Sequence, residues 1–171
     1  MGDKIKEGRL TFTFPDSWKA SSYDTWVFYR EHFAKICNKT KAIDILALDS
    51  DNKCAWLIEV KDYRRHARTK PSDLAEEIAC KMKDTLSGLA CGRIHASVEE
   101  QQELSEETMQ VETFRVVLHL EQPAKHSKLF PRVFDLADVR AKLRKRVKAI
   151  DPHPLVLEKA SCNGKVDWTV M

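Results

Sequence analysis

The sequence predicts an α/β protein, and three observations carry that expectation. Residues 42–48 (Ala-Ile-Asp-Ile-Leu-Ala-Leu) and 54–61 (Cys-Ala-Trp-Leu-Ile-Glu-Val-Lys) are two apolar runs joined by the polar turn Asp49-Ser50-Asp51-Asn52. Asp and Asn favour such turns because they tolerate left-handed backbone angles and bond their own main chain. Residues 113–120 form a third run, rich in β-branched side chains. Around these runs, apolar residues recur at helical spacing over 21–37, 71–89 and 136–150.

The 171 residues, 43% hydrophobic and 32% charged, suit one soluble globular domain spanning 1–171, with its core at about 20–120 and a basic helix and short strands over 130–171. The N-terminal residues lack the apolar stretch of a signal peptide, and no run approaches a membrane span. The five cysteines (37, 54, 80, 91, 162) are odd in number and form no Cys-x-x-Cys pair, which argues against a disulfide framework and a structural zinc site. A cytoplasmic location is expected. Net charge is only +3, but unevenly spread. Residues 61–70 carry five Lys or Arg against one Asp, and residues 125–148 carry nine against two Asp. Residues 99–112 carry six Glu and no cation. One face suits a polyanion and another is acidic.

In chain order, residues 10–14 alternate as a strand that Pro15 ends. Ser21, Ser22 or Asp24 can cap a helix running to about Cys37, with Trp26, Tyr29, Phe33 and Ile36 as its buried stripe. The apolar hairpin of 42–61 follows, then an exposed basic loop to Lys70. Pro71 and Ser72 start a helix with Leu74, Ile78, Met82, Thr85 and Leu89 on its apolar face, and Gly88 and Gly92 mark its end. Residues 94–98 are ambiguous, and 99–110 form a loop or a surface helix. In the strand of 113–120, His119 reads as a packed core or edge histidine. Asp135 caps the last helix, whose seam is Leu136, Val139, Leu143 and Val147. Residues 154–157 and 166–170 look like closing strands around Asn163-Gly164, and the Leu129-Phe130-Pro131 segment offers a dimer contact.

A turn centred on Asp51 and Asn52 pairs Leu48 with Ala55, Leu46 with Leu57 and Asp44 with Glu59. Those residues and Lys61 share one face, apolar near the turn and ionic at its open end. Opposed carboxylates in apolar strands are a local conflict, and such conflicts tend to mark functional sites. A hard divalent cation would resolve it.

Ile43-Asp44 followed by Glu59-Val60-Lys61 at the end of an apolar strand resembles the PD-(D/E)xK nuclease superfamily. That resemblance implies the restriction-endonuclease-like fold, a mixed β-sheet flanked by helices. It implies Mg²⁺- or Mn²⁺-dependent hydrolysis of phosphodiesters, with DNA the substrate before RNA. Asp44, Glu59 and the Val60 carbonyl would hold the ion, and Lys61 would orient the attacking water. The helix before the Asp strand often supplies a further acid in that fold. Glu31 is the candidate by analogy, with Asp24 a second. Arg64, Arg65, Arg68, Lys70 and Lys81 would hold phosphates. The Gln-x-x-x-Tyr motif of exonuclease-like branches is absent. A homodimer or a partner subunit would supply recognition. Two rival expectations stand beside this one. The first is a catalytically inactive nuclease-like module for nucleic-acid binding or assembly. The second is an unrelated α/β protein whose acidic stretch and basic helix meet in a dimer.

Overall fold

The computed structural model describes residues 2–37 and 39–171. Its elements run β1 (Lys4–Glu7), β2 (Leu10–Thr13), β3 (Lys19–Ser22), α1 (Val27–Glu31), β4 (Ile45–Asp49), β5 (Cys54–Asp62) and α2 (Leu74–His95). Then come α3 (Glu99–Met109), β6 (Thr113–Glu121), α4 (Leu136–Val147), β7 (Leu155–Leu157) and β8 (Thr169–Val170). The result is a mixed α/β architecture with two open sheets and, among the described residues, four α-helices. The larger sheet has the order β3-β4-β5-β6-β7, antiparallel from β3 to β5 and parallel from β5 to β7. The smaller is antiparallel, with the order β1-β2-β8.

Alternation along the strands builds three layers. Leu46, Leu48, Leu57, Val116 and Leu118 face Ile78 and Met82 of α2 and Leu143 of α4. Ile45, Ala47, Ile58 and Val117 point the other way, into Phe12, Trp18 and Trp168 beside the small sheet. Strands β4 and β5 are therefore buried on both faces, which explains their near-continuous apolar runs.

The hairpin has the expected register, Leu48 opposite Ala55 and Leu46 opposite Leu57. Its loop is four residues long, 50–53. Asp49 accepts from the Asn52 backbone N–H (3.2 Å) and side-chain amide (2.7 Å), and Lys53 takes φ 47°. The ladder ends at Ile45 opposite Ile58, one pair short of Asp44 and Glu59.

Several elements differ from expectation. The helix expected over 21–37 is broken into a 3-10 turn (Tyr23–Thr25), the short α1 and a second 3-10 turn (Phe33–Lys35). Sheet pairing captures Ser21 and Ser22 as part of β3, and Trp26 adopts an extended ψ of 137° with its indole N–H donating to Ser21 Oγ (2.8 Å). Ile36 is consequently exposed rather than part of a buried stripe. Helix α2 runs past Gly88 and Gly92 instead of ending there. These glycines serve close packing: a Cβ on Gly88 would meet Tyr23 Oη at 2.2 Å, and one on Gly92 would meet Ser105 Oγ at 2.9 Å. The acidic stretch is helix α3, packed on α2. The two closing strands lie in different sheets, β7 beside β6 and β8 beside β2. Among the described residues, no helix is long and apolar enough to cross a membrane.

Candidate functional site

Asp44 at the entrance to β4, Glu59 and Lys61 on β5 and Lys81 on α2 converge on one buried ionic cluster. Glu59 is fully buried, and its Oε1 receives both Lys61 Nζ and Lys81 Nζ at 2.5 Å. Lys81 Nζ also stands 3.8 Å from Asp44 Oδ1, while Asp44 Oδ2 accepts the Val60 backbone N–H at 2.7 Å. Two ammonium groups thus answer the carboxylate conflict for which the sequence suggested a divalent ion. Burial, then the Asp44 charge, push the Glu59 carboxyl up to about 7, against the pull of Lys81 and Lys61. Glu59 Oε2 is buried with no hydrogen-bond partner. Burial alone would depress the Lys61 ammonium, but attraction to Glu59 and its hydrogen bond raise it instead.

Two more acids surround the cluster. Asp24 and Glu7 are both raised, first by burial and next by Asp44. Glu31 is exposed on α1 and, among the described residues, has no hydrogen bond or ion pair to this cluster. Of the two acids suggested by analogy, Asp24 is the one whose charge is coupled to Asp44. Among the described residues, no group of three or more His, Cys, Asp or Glu is placed to hold a metal ion.

A second buried acid, Glu77, lies one turn before Lys81 on α2. Its carboxylate pairs with Arg68 (2.8 Å), Lys70 (3.1 Å) and, more distantly, Lys61 (3.6 Å). Burial works against its ionised form, but hydrogen bonds from Arg68 and Lys70 prevail and hold it down to about 2. Arg68 also donates to Tyr63 Oη and to Ser72. A cavity of about 280 Å³ opens beside this acid, between Lys61 and the 62–70 loop.

The structure therefore separates the five proposed phosphate-binding residues. Arg64 is engaged by Asp62 in a two-pronged bond (2.8 and 2.6 Å), and the Arg68 side chain is only 8% exposed. Lys81 lies inside rather than toward solvent. Lys70 is paired yet mostly exposed, and Arg65 is exposed with no ion pair among the described residues. Sequence reasoning missed Glu77 and Glu7. Glu77 had a signal, because it and Lys81 are charges four residues apart beside the Leu74, Ile78 and Met82 face. Glu7 had none, since only tertiary folding brings β1 to the cluster.

Helix α4 forms the other basic region. Lys142 pairs with Asp138 (2.8 Å), Arg146 approaches Asp73 at the start of α2 (3.5 Å), and Arg140 donates to the Pro154 carbonyl (2.9 Å). Arg144, Lys145 and Lys148 are exposed, with no ion pair among the described residues. Just before α4, Phe134 stacks on Tyr63 with ring centroids 5.6 Å apart, so the helix and the 62–70 loop border one surface.

Comparison with known proteins gives one similarity of weight. Over 164 aligned residues the chain is 34% identical to a cysteine–tRNA ligase of Neisseria meningitidis serogroup A / serotype 4A (strain DSM 15465 / Z2491). Part of this chain resembles a tRNA ligase. The alignment takes in 79% of the chain and 23% of that protein, so the chain spans less than a quarter of the curated relative it matches. No protein-family model and no solved structure matches. The similarity overturns the nuclease expectation. A Mg²⁺-dependent phosphodiesterase, an endonuclease of the PD-(D/E)xK type, is not what this relative is named for. A preference for DNA likewise finds no support in a relative named for tRNA.

Proposed function

We propose that this chain is an RNA-binding module, a single domain that takes tRNA or a tRNA-like RNA on its basic face in the service of a cytoplasmic aminoacyl-tRNA synthetase activity. The observation that carries the reading is the stripe Arg144, Lys145 and Lys148. These exposed cations have no ion partner among the described residues, on a chain similar to part of a tRNA ligase. Phosphate contacts of this kind supply most sequence-independent affinity for nucleic acid. Arg65 and Lys70 extend the same field beyond the Tyr63–Phe134 stack.

The framework resembles a restriction-endonuclease-like core adapted to binding. In this reading Asp44, Glu59, Lys61 and Lys81 form an internal charge cluster that fixes β5 against α2. Two of the carboxylate oxygens that Mg²⁺ or Mn²⁺ would need are already engaged, Glu59 Oε1 by both ammonium groups and Asp44 Oδ2 by the Val60 amide, while Glu59 Oε2 is without a hydrogen-bond partner. We assign no step to such an ion.

The test is a mobility-shift titration of tRNA with the wild type and with Arg144→Ala/Lys145→Ala/Lys148→Ala. The wild type is expected to shift tRNA, and the triple variant to need at least tenfold more protein. Equal shifts by both would overturn the assignment of this face.

A further inference from the structure

The loop of residues 122–135, between β6 and α4, is tied shut at its neck and carries bare apolar side chains at its tip. Gln122 is buried, and its side-chain carbonyl accepts the Val133 (3.1 Å) and Phe134 (2.9 Å) backbone N–H groups. Its amide donates to the Phe134 carbonyl (3.0 Å). Arg132 crosses the neck to the Pro123 carbonyl (2.8 Å) and anchors on Glu158 (2.7 Å). Nearer the tip, the Ser127 and Phe130 backbones bond each other (3.2 Å), and Ser127 Oγ accepts the Phe130 N–H (2.9 Å). This bracing holds Leu129 85% exposed and Phe130 48% exposed.

Large apolar side chains held in water by a braced loop have the form of a contact awaiting a partner. The flanking residues say which kind. Lys125 and Lys128 are exposed, with no ion pair among the described residues. The neck continues through Phe134 into the Tyr63 stack and the basic face of α4. A polyanion on that face meets the loop next, and an aromatic ring beside lysines suits a base whose phosphates those lysines hold.

We propose that the Leu129–Phe130 tip is a recognition element for unpaired nucleotides: Phe130 stacks on an exposed base and Leu129 fills beside it, while Lys125 and Lys128 hold the adjoining phosphates. The proposal rests on the RNA-binding reading and adds to it a preference for single-stranded segments flanking a duplex. A duplex alone would engage only α4 and the 62–70 loop.

The test uses two labelled RNAs with the same duplex stem, one blunt and one with a four-nucleotide unpaired 3′ tail. Fluorescence anisotropy gives both affinities for wild type, Phe130→Ala, Leu129→Ala and Phe130→Trp. The tip is exposed, so these variants are expected to fold, with circular dichroism as the check. The wild type is expected to prefer the tailed RNA. Phe130→Ala should lose roughly tenfold on the tailed RNA, within the range for one stacked base, with blunt-stem affinity within twofold. Leu129→Ala should lose less, and Phe130→Trp should keep the preference. An unchanged preference in Phe130→Ala, with the stem still bound, would overturn this inference and leave the RNA reading standing. Failure of the wild type to bind either RNA would remove the reading itself. Phe130-dependent binding to anionic vesicles, or Phe130-dependent self-association, with no tail preference would overturn the proposal in favour of a membrane or dimer contact.

Discussion

Glu59 and Glu77 are both buried and both touch Lys61, yet their acidities move in opposite directions. Glu59 is raised to about 7 and Glu77 lowered to about 2, from the same ordinary value of 4.5. The difference lies in company. Glu59 shares its cavity with Asp44, so desolvation and like charge prevail over two lysines. Glu77 is paired with Arg68 at 2.8 Å and Lys70 at 3.1 Å as well as Lys61, and these cations overcome its burial. Glu77 is thus the anchor of the 62–70 loop, and the loop's arginines serve the fold as much as any ligand.

The largest expected effect comes from removing that anchor. Glu77→Ala leaves Arg68 and its neighbours without their carboxylate, and breaking a buried pair this way costs about 3–5 kcal/mol. Urea denaturation at pH 7 should show that loss, and a loss under about 1 kcal/mol would remove Glu77 from its structural role.

Lys81→Met should act less on stability, because Glu59 can take up a proton when a cation leaves. Its signature is an upward move of the Glu59 titration midpoint from about 7, followed by carboxyl NMR. A downward move would contradict the charge account.

Glu59→Gln should be milder still at pH 7, roughly 1 kcal/mol or less, since an isosteric neutral group removes the repulsion with Asp44. It should also change pH dependence. The folded form of Glu59 binds its proton more tightly than the unfolded chain does. Its contribution is therefore full below 4.5 and lost as pH rises toward 7. Glu77 has the opposite sign: its contribution is full above 4.5 and lost as pH falls toward 2. Glu59→Gln should flatten the stability profile between pH 4.5 and 7, and Glu77→Gln should flatten it between 4.5 and 2. One common effect on both windows would break the comparison.

The smallest expected change in stability is at Arg65. Arg65→Ala should leave it within about 0.5 kcal/mol, as for an exposed residue without partners.

What the sequence revealed and what it hid divide along similar physical lines. The 42–61 hairpin was legible because a period of two, a turn of Asp and Asn and two apolar runs all agree on one register. The Asp135 cap was legible for the same local reason, accepting from the Ala137 and Asp138 N–H groups. His119 is the packed histidine expected, bonded to Glu121 at 2.9 Å and edge-on to Phe12. The helix expected over 21–37 failed because β4 recruits residues 19–22 as a strand, a tertiary effect that no local pattern records. The ionic site was half legible. The opposition of Asp44 and Glu59 could be read from the register, but its resolution by Lys81 depends on where α2 packs. The basic loop misled for a related reason: sequence counts its charges, and only the fold shows that Glu77 and Asp62 already hold most of them.

The most direct test of the account is the salt dependence of tRNA affinity, measured for wild type, Arg144→Ala/Lys148→Ala and Arg64→Ala. The account predicts that log affinity falls linearly with log salt, that the α4 double variant lowers the slope by about 2, or about 1 per lost phosphate contact, and that Arg64→Ala leaves it nearly unchanged because Asp62 already holds that side chain. A slope that α4 does not affect, or no tRNA binding at low salt, would contradict it.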